Sequence, residues 1–196
     1  MDLNHEFTVE VPVADAWAIL TDLQRIAPCL PGAELTEVDG DIYRGQVKVK
    51  VGPIVAQFKG QASFVSRDDT AHTATLKGEG RDATGKGTAS ALITAQLTAV
   101  TPTSTKCTVH TDLTISGKVA QFGRGAMADI SDKLLTQFSD NLNQLISSGE
   151  AAPQTEVTPI NLLEAAGLPI IKRVVPLVVT IVVAVAVIVL VFRVII

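Results

Sequence analysis

Apolar residues recur at every second position in successive runs between residues 33 and 119, and beyond Gly123 the interval lengthens to the ~3.6 residues of a helix. A chain that changes period once, and late, builds a sheet first and lays one long helix against it. Asp39-Gly40 is a hairpin signal between runs 35–38 and 42–51. Gly52-Pro53 turns the chain into 55–66, Asp68-Asp69 into 72–80, and runs 88–100 and 106–119 flank a turn at Pro102. Short turns between strands predict an antiparallel meander. Upstream, Leu3, His5, Phe7, Val9 and Val11 alternate as a strand with one buried face, and Pro12 stops it. Asp15, Trp17, Ile19, Leu20 and Leu23 then make a short amphipathic helix, broken by the loop Pro28-Cys29-Leu30-Pro31-Gly32. After Gly123, Met127, Ile130, Leu134, Leu135, Phe138, Leu142, Leu145 and Ile146 form one stripe. Asp129, Asp132, Lys133, Asp140 and Asn143 lie off it, and Ser147-Ser148-Gly149 ends the helix.

The mean hydropathy of +0.35 is high for such a pattern, and the excess sits in one place. Residues 174–192 are an uncharged run of 19, close to the ~20 needed to cross a bilayer. Lys172 and Arg173 stand at its entrance, Pro176 in its first turn, Phe192 at its last apolar position and Arg193 at its exit. The positive-inside rule then keeps the preceding domain in the cytoplasm and the extreme carboxyl terminus across the cell membrane. An interfacial helix would need a polar stripe, and only Thr180 is polar within the run. The chain divides into a domain at 1–148, a flexible linker at 149–170 and a single-pass anchor at 171–196. All 20 acidic residues, but only 13 of the 16 basic ones, lie at or before Glu164. An acidic head argues against nucleic acid and against adhesion to anionic lipid. Cys29 and Cys107 have no metal-ligand or CxxC spacing, and the amino terminus lacks the pattern of a signal peptide.

Chemistry would show in the residues pointing between sheet and helix. Alternation assigns to that face Tyr43, Gly45, Val47, Val49 and Val51, then Ala56, Phe58, Gly60, Ala62 and Phe64, then Ala74, Leu76, Gly78 and Gly80. Ala89, Ala91, Ile93, Ala95 and Leu97 follow, with Cys107, Val109, Thr111, Leu113 and Ile115. Almost none is ionisable, and many are Gly, Ala or Thr. Small residues there permit either a close approach of the helix, with Leu134, Phe138 and Leu142 filling the gap, or a dry apolar cavity. His110 falls on the outer face, His72 begins a strand beside Asp68-Asp69, and His5 points inward near the terminus. No nucleophile–base set or inward carboxylate pair can be assembled, Gly85-Lys86-Gly87 lacks a phosphate-loop frame, and Cys29 has only Arg25 as a basic neighbour. Trp17 is most simply a core anchor.

Strand, short helices, meander and long last helix resemble the helix-grip, START-like (SRPBCC) fold, an α+β architecture in which a curved antiparallel sheet wraps the last helix. Pro12 through Trp17 to Asp22, Cys29-Leu30-Pro31-Gly32-Ala33-Glu34, Val51-Gly52-Pro53-Ile54 and Gly117-Lys118-Val119-Ala120-Gln121-Phe122-Gly123 are similar to motifs of the carbon monoxide dehydrogenase G-subunit family. The resemblance favours the cavity. It implies a partner, the molybdenum carbon monoxide dehydrogenase, recruited to the membrane where its electrons enter respiration. It leads us to expect a non-covalent hydrophobic cargo, menaquinone or another isoprenoid quinone, and no enzymatic activity. The expected lining is Tyr43, Val47, Phe58, Gly60, Ala62, Leu76, Gly78, Ala91, Ile93, Ala95, Val109, Thr111, Leu113, Leu134 and Phe138. The expected entrance is Pro28, Leu30, Pro53, Ile54 and Phe122. The alternative is a membrane adaptor that docks protein with a filled core; cavity-filling changes such as Ala91→Phe or Gly60→Leu separate the two. A cyclase- or hydrolase-like reading needs inward ionisable residues that the alternation does not supply.

Overall fold

Pairing is antiparallel throughout, and the strands lie in the order β1-β7-β6-β5-β4-β3-β2. In the computed structural model the described residues are 1–51 and 54–149. The elements are β1 (Asp2–Val9), α1 (Val13–Leu20), α2 (Leu23–Ile26), β2 (Ala33–Asp39), β3 (Ile42–Val51), β4 (Ile54–Asp68), β5 (Thr73–Asp82), β6 (Thr88–Thr101), β7 (Ser104–Ile115) and α3 (Gly123–Ser148). Six strands form the meander, and the amino-terminal strand closes the far edge by pairing with β7, from Asp2 opposite Asp112 to Val9 opposite Thr105.

Local chemistry sets the boundaries. Pro12 starts α1, where its missing N–H would have had no helical partner, and its carbonyl accepts from Ala16 N–H at 2.9 Å. Asp22 caps α2 through its side chain, accepting from Arg25 N–H at 3.1 Å, and Pro28 then tightens the chain into a 3₁₀ turn, Ala27–Cys29. The last strand is shorter than its alternation predicts. It ends at Ile115, and Gly117–Phe122 winds into a 3₁₀ helix that delivers Val119 to a buried position. His72 does not begin β5. It holds the preceding turn at φ 49°, and its carbonyl accepts from Leu97 N–H.

The long helix crosses one side of the sheet and packs chiefly on β1 and the two 3₁₀ turns, not on the middle strands. Phe7 meets Phe138 edge-to-face at 5.9 Å, and Asn143 Nδ2 donates to Thr8 O, so the face carrying His5, Phe7 and Val9 is the one facing α3. The main core collects where α1 and the second half of α3 meet the sheet: Val9, Trp17, Ile19, Leu97, Cys107, Val109, Leu142 and Leu145. We call this the Trp17 end, and the opposite end, with the β5–β6 hairpin and the start of α3, the Lys86 end. Among the described residues no helix is long and apolar enough to cross a membrane. The predicted anchor, with Lys172, Arg173, Pro176 and Phe192, and the predicted linker beyond Gly149 lie outside the described residues.

Candidate ligand-binding site

Cross-strand register turns the alternating residues into rows on the α3 side. Tyr43, Ala62, Gly78, Ala91 and Leu113 stand opposite one another across five strands. The next row toward the Trp17 end is Phe64, Leu76, Ile93, Thr111 and Leu3, and the one after it includes Ala74, Ala95 and Val109. Toward the Lys86 end come Gly45, Gly60, Gly80, Ala89 and Ile115, then Val47 and Phe58.

Burial is graded along these rows. At the Trp17 end Ala74, Leu97, Cys107 and Val109 are buried. At the Lys86 end Ala33, Ala56, Val119, Met127 and Ile130 are buried as well. Between them, every member of the Tyr43 row is only half-buried, as are Phe64, Leu76, Ile93 and Thr111, and so are Leu134 and Phe138 on the helix; Phe58, in the row of Ala33 and Asp82, is half-buried too. Apolar side chains that face inward, between two buried zones, thus keep water-accessible surface. Neither the Tyr43 nor the Thr111 hydroxyl, both on this face, has a hydrogen-bond partner among the described residues.

The small residues of this face serve two different purposes. A Cβ at Gly60 would run into the carbonyl of Glu79 and lie 2.7 Å from Gly80 Cα, so the strands approach there because no side chain intervenes. At Gly78 a Cβ would meet nothing within 4 Å. Gly78 therefore borders open space, whereas Gly60 is a requirement of the backbone, and Gly60→Leu is not a clean cavity-filling change.

The predicted entrance residues occupy different places. Pro28 lies in the 3₁₀ turn held to the second half of α3 by Asn141 Nδ2 donating to Cys29 O at 2.9 Å. Leu30 precedes Gly32, whose carbonyl accepts from Lys48 N–H on β3. Ile54 begins β4, Phe122 closes the turn before α3, and Pro53 lies outside the described residues.

Besides its apolar residues, and besides Tyr43 and Cys107, the inner face carries a guanidinium, an imidazole and a carboxyl group, and the alternation does not place the guanidinium or the carboxyl there. A bulge at Val65 shifts the register, setting Arg67 opposite Ala74, and its guanidinium lies 5.7 Å from the centroid of Trp17. Asp69 Oδ1 accepts from Trp17 Nε1 at 2.7 Å and from Arg67 Nε at 2.8 Å, and these bonds, Arg67's first, hold its carboxyl below the usual range. His72 stacks its edge on the same indole at 5.5 Å, so Trp17 is a core anchor with a polar clamp over it. His5 Nε2 is 2.9 Å from Asp132 Oδ1, which ties β1 to α3. Asp82 extends β5 two residues past its predicted end and stands opposite Phe58. It is 2% exposed and serves the hairpin: Oδ1 accepts from Thr84 N–H, Thr84 Oγ1 and Lys86 N–H, and Oδ2 from Gln57 N–H. The Thr84 hydroxyl foremost, with the three N–H groups, holds this carboxyl well below the ordinary range. Its signal in the sequence is the Asp82-x-Thr84 spacing of a side chain folding back on its own turn.

Both cysteines are buried, and burial pushes the Cys107 thiol up to about 12 and the Cys29 thiol up as well. Neither is expected to react with a water-soluble maleimide in the folded chain, while both should react in denaturant; a stoichiometric reaction under native conditions would contradict the burial. No group of His, Cys, Asp and Glu able to hold a metal ion occurs among the described residues. The outer face of the sheet carries an open, polar depression of about 600 Å³ over Gly60, Gly80 and Ala89, walled by Lys59, Gln61, Glu79 and Arg81. It is on the side away from α3 and is separate from the inner rows.

The family model of the carbon monoxide dehydrogenase G subunit (CoxG) matches residues 6–147, from β1 to the end of α3. The chain belongs to this family. The CoxG match runs from the middle of β1 into the last turn of α3, and it confirms the resemblance read from the motifs. No curated protein matches the chain. Among solved structures, a conserved protein from Geobacillus kaustophilus is similar with a TM-score of 0.69 and 18% identity, covering 76% of this chain and 97% of its own. The ZhuI aromatase/cyclase from Streptomyces sp. R1128 gives 0.53 and 12%, over 78% and 99%. Norcoclaurine synthase from Thalictrum flavum, in complex with dopamine and hydroxybenzaldehyde, gives 0.52 and 15%, over 78% and 89%. At these identities the likeness shows the helix-grip fold alone.

Proposed function

We propose that this CoxG-family chain is a membrane-tethered, non-enzymatic carrier that holds an isoprenoid quinone between sheet and α3 and presents it to a carbon monoxide dehydrogenase-type enzyme. The observation that carries the reading is the half-buried middle of the inner face. Apolar side chains at Phe64, Leu76 and Ile93 keep accessible surface in the row next to the open position at Gly78, although buried zones flank these rows on both sides. A packed core would have covered them, since interiors fill to the density of an organic crystal. A long apolar guest fits such a lining, and the partnerless hydroxyls of Tyr43 and Thr111 offer donors for a quinone carbonyl.

The family supports the enzyme partner, and the 19-residue uncharged run at 174–192 supports the tether to the cell membrane, with the domain on the cytoplasmic side. The cyclase and synthase among the similar folds do not extend to chemistry here. The inward acid, imidazole and guanidinium groups are engaged structurally: His5 with Asp132, Arg67 with Asp69, and Asp82 with its own turn. The test is mass spectrometry of organic extracts from the full chain purified in mild detergent. An isoprenoid quinone retained through purification is expected. Repeated extracts without one, from chain that also takes up no added menaquinone, would overturn the carrier reading and leave a docking adaptor.

A further inference from the structure

Charge in this domain is sorted between the two ends of the sheet. The turns and flanking strands of the Trp17 end carry Glu10, Asp15, Asp39, Asp41, Asp68 and Asp69, and the basic residues there pair with acids: Arg44 with Glu37 and Asp39, Arg67 with Asp69. The Lys86 end inverts this. Lys48 and Lys50 lie along the last part of β3, Lys59 and Arg81 stand directly opposite each other across β4 and β5, and Lys86 and Lys118 are joined through their backbones at 2.7 Å. None of these six forms an ion pair among the described residues. Of the acids at this end, Glu79, two positions from Arg81, is paired with Lys77, Asp82 is turned inward and saturated by donors of its own turn, Glu34 accepts from Gln46 Nε2, and Asp129 stands on α3, away from the strand cations.

Like charges directly opposite in an antiparallel pair repel, so the Lys59–Arg81 pair opposes the fold unless an anion lies against it. An exposed apolar residue stands among these cations. Val55 is opposite Lys50 and 43% exposed, and its carbonyl accepts from Lys86 Nζ at 2.7 Å. Unpaired cations around an exposed apolar side chain match a lipid surface, where phosphates take the ammonium and guanidinium groups and the apolar residue meets the acyl boundary. We propose that the outer face of the Lys86 end docks on an anionic phospholipid surface, which keeps the acidic Trp17 end away from the bilayer. The acidity of the head as a whole, which predicts no adhesion, then acts as an orienting device: an anionic bilayer attracts one end and repels the other. The inference rests on the tether of the proposed function for its setting, and its test separates the two.

The full chain, as the Val55→Cys variant, is mixed with vesicles of phosphatidylcholine alone or with about 30 mol% phosphatidylglycerol, floated, and treated with a membrane-impermeant maleimide. Labelling at position 55 should slow at least about fivefold on the anionic vesicles only, and about 0.5 M salt should restore it. A Val100→Cys variant, at an exposed site of the Trp17 end, should label equally on both vesicles. The double reversal Lys59→Glu/Arg81→Glu should return position 55 to its rate on the neutral vesicles. Flotation with both compositions and equal labelling at position 55 would overturn the docking and leave the tether standing. Flotation with the anionic vesicles alone would support the docking and sink the tether, and flotation with neither would sink both. Protection of position 55 that needs an added acidic protein would assign this surface to a protein partner and overturn the proposal.

Discussion

Asp82→Ala is expected to lower the stability of the domain by about 3 kcal/mol or more, because it strands the N–H groups of Gln57, Thr84 and Lys86 around a buried void. For a domain of this size that corresponds to a fall in Tm of roughly 6–12 °C. Asp82→Asn should lose less, about 2 kcal/mol: an amide oxygen in the place of Oδ1 still accepts from Thr84 and Lys86, but the amide nitrogen cannot accept from Gln57. The carboxylate also makes stability depend on pH in one direction. Its folded pKa lies below the unfolded value of about 3.9, so the unfolded chain takes up the proton first. The contribution is complete above about pH 4 and drains away as pH falls further, by up to ~1.4 kcal/mol per pH unit. Urea unfolding at pH 7 and in steps down to about pH 3 should show the wild-type chain losing stability more steeply than Asp82→Ala. Asp69, also held down, adds a slope common to both proteins. An Asp82→Ala chain within about 1 kcal/mol of wild type at pH 7 would show that the hairpin does not need its carboxylate.

Most of the sheet was legible because one face is apolar, which ties register to alternation: a slip of one residue would expose every inward side chain. The Tyr43 row is the result, five residues on five strands each identified from its own strand alone. Alternation failed where the backbone stops being regular. Val65 bulges out at 59% exposure and brings Arg67 to the inner face; nothing in Ser63-Phe64-Val65-Ser66 marks the extra residue. Past Ile115 the apolar Val119 continues the look of a strand, yet Gly117, at φ 79°, has turned the chain into a 3₁₀ helix that uses Val119 from another direction. The predicted helix stripe is buried at Met127, Ile130, Leu142 and Leu145. Leu134 and Phe138 belong to the same stripe but face a half-covered part of the sheet, a difference set by how far α3 stands off the middle strands. Periodicity gives the direction of a side chain and carries no information about that distance. The glycines show the same gap, because composition makes Gly60 and Gly78 equivalent and only the spacing of their neighbours tells them apart.

That difference yields the most discriminating experiment on the site. Gly78→Leu places a side chain into open space on the central row, between Ala62 and Ala91, and should leave Tm within about 3 °C of wild type, since a strand glycine gives up little packing when replaced. If the half-buried rows hold the cargo, the same change should cut retention of added menaquinone at least tenfold and leave recruitment of the partner enzyme to membranes intact. Gly60→Ala reverses the pattern. Its Cβ meets the Glu79 carbonyl and Gly80 Cα, which belong to a neighbouring strand and cannot swing aside as a side chain would, so the strands must separate at a cost of about 2–3 kcal/mol. The fraction that still folds should retain menaquinone normally, because the volume at Gly78 is untouched. Thermal unfolding and quinone content, measured on the same preparations, therefore move independently in the two variants. Gly78→Leu that folds and still retains menaquinone at the wild-type level would rule out this face as the binding site, whatever the protein does at the membrane.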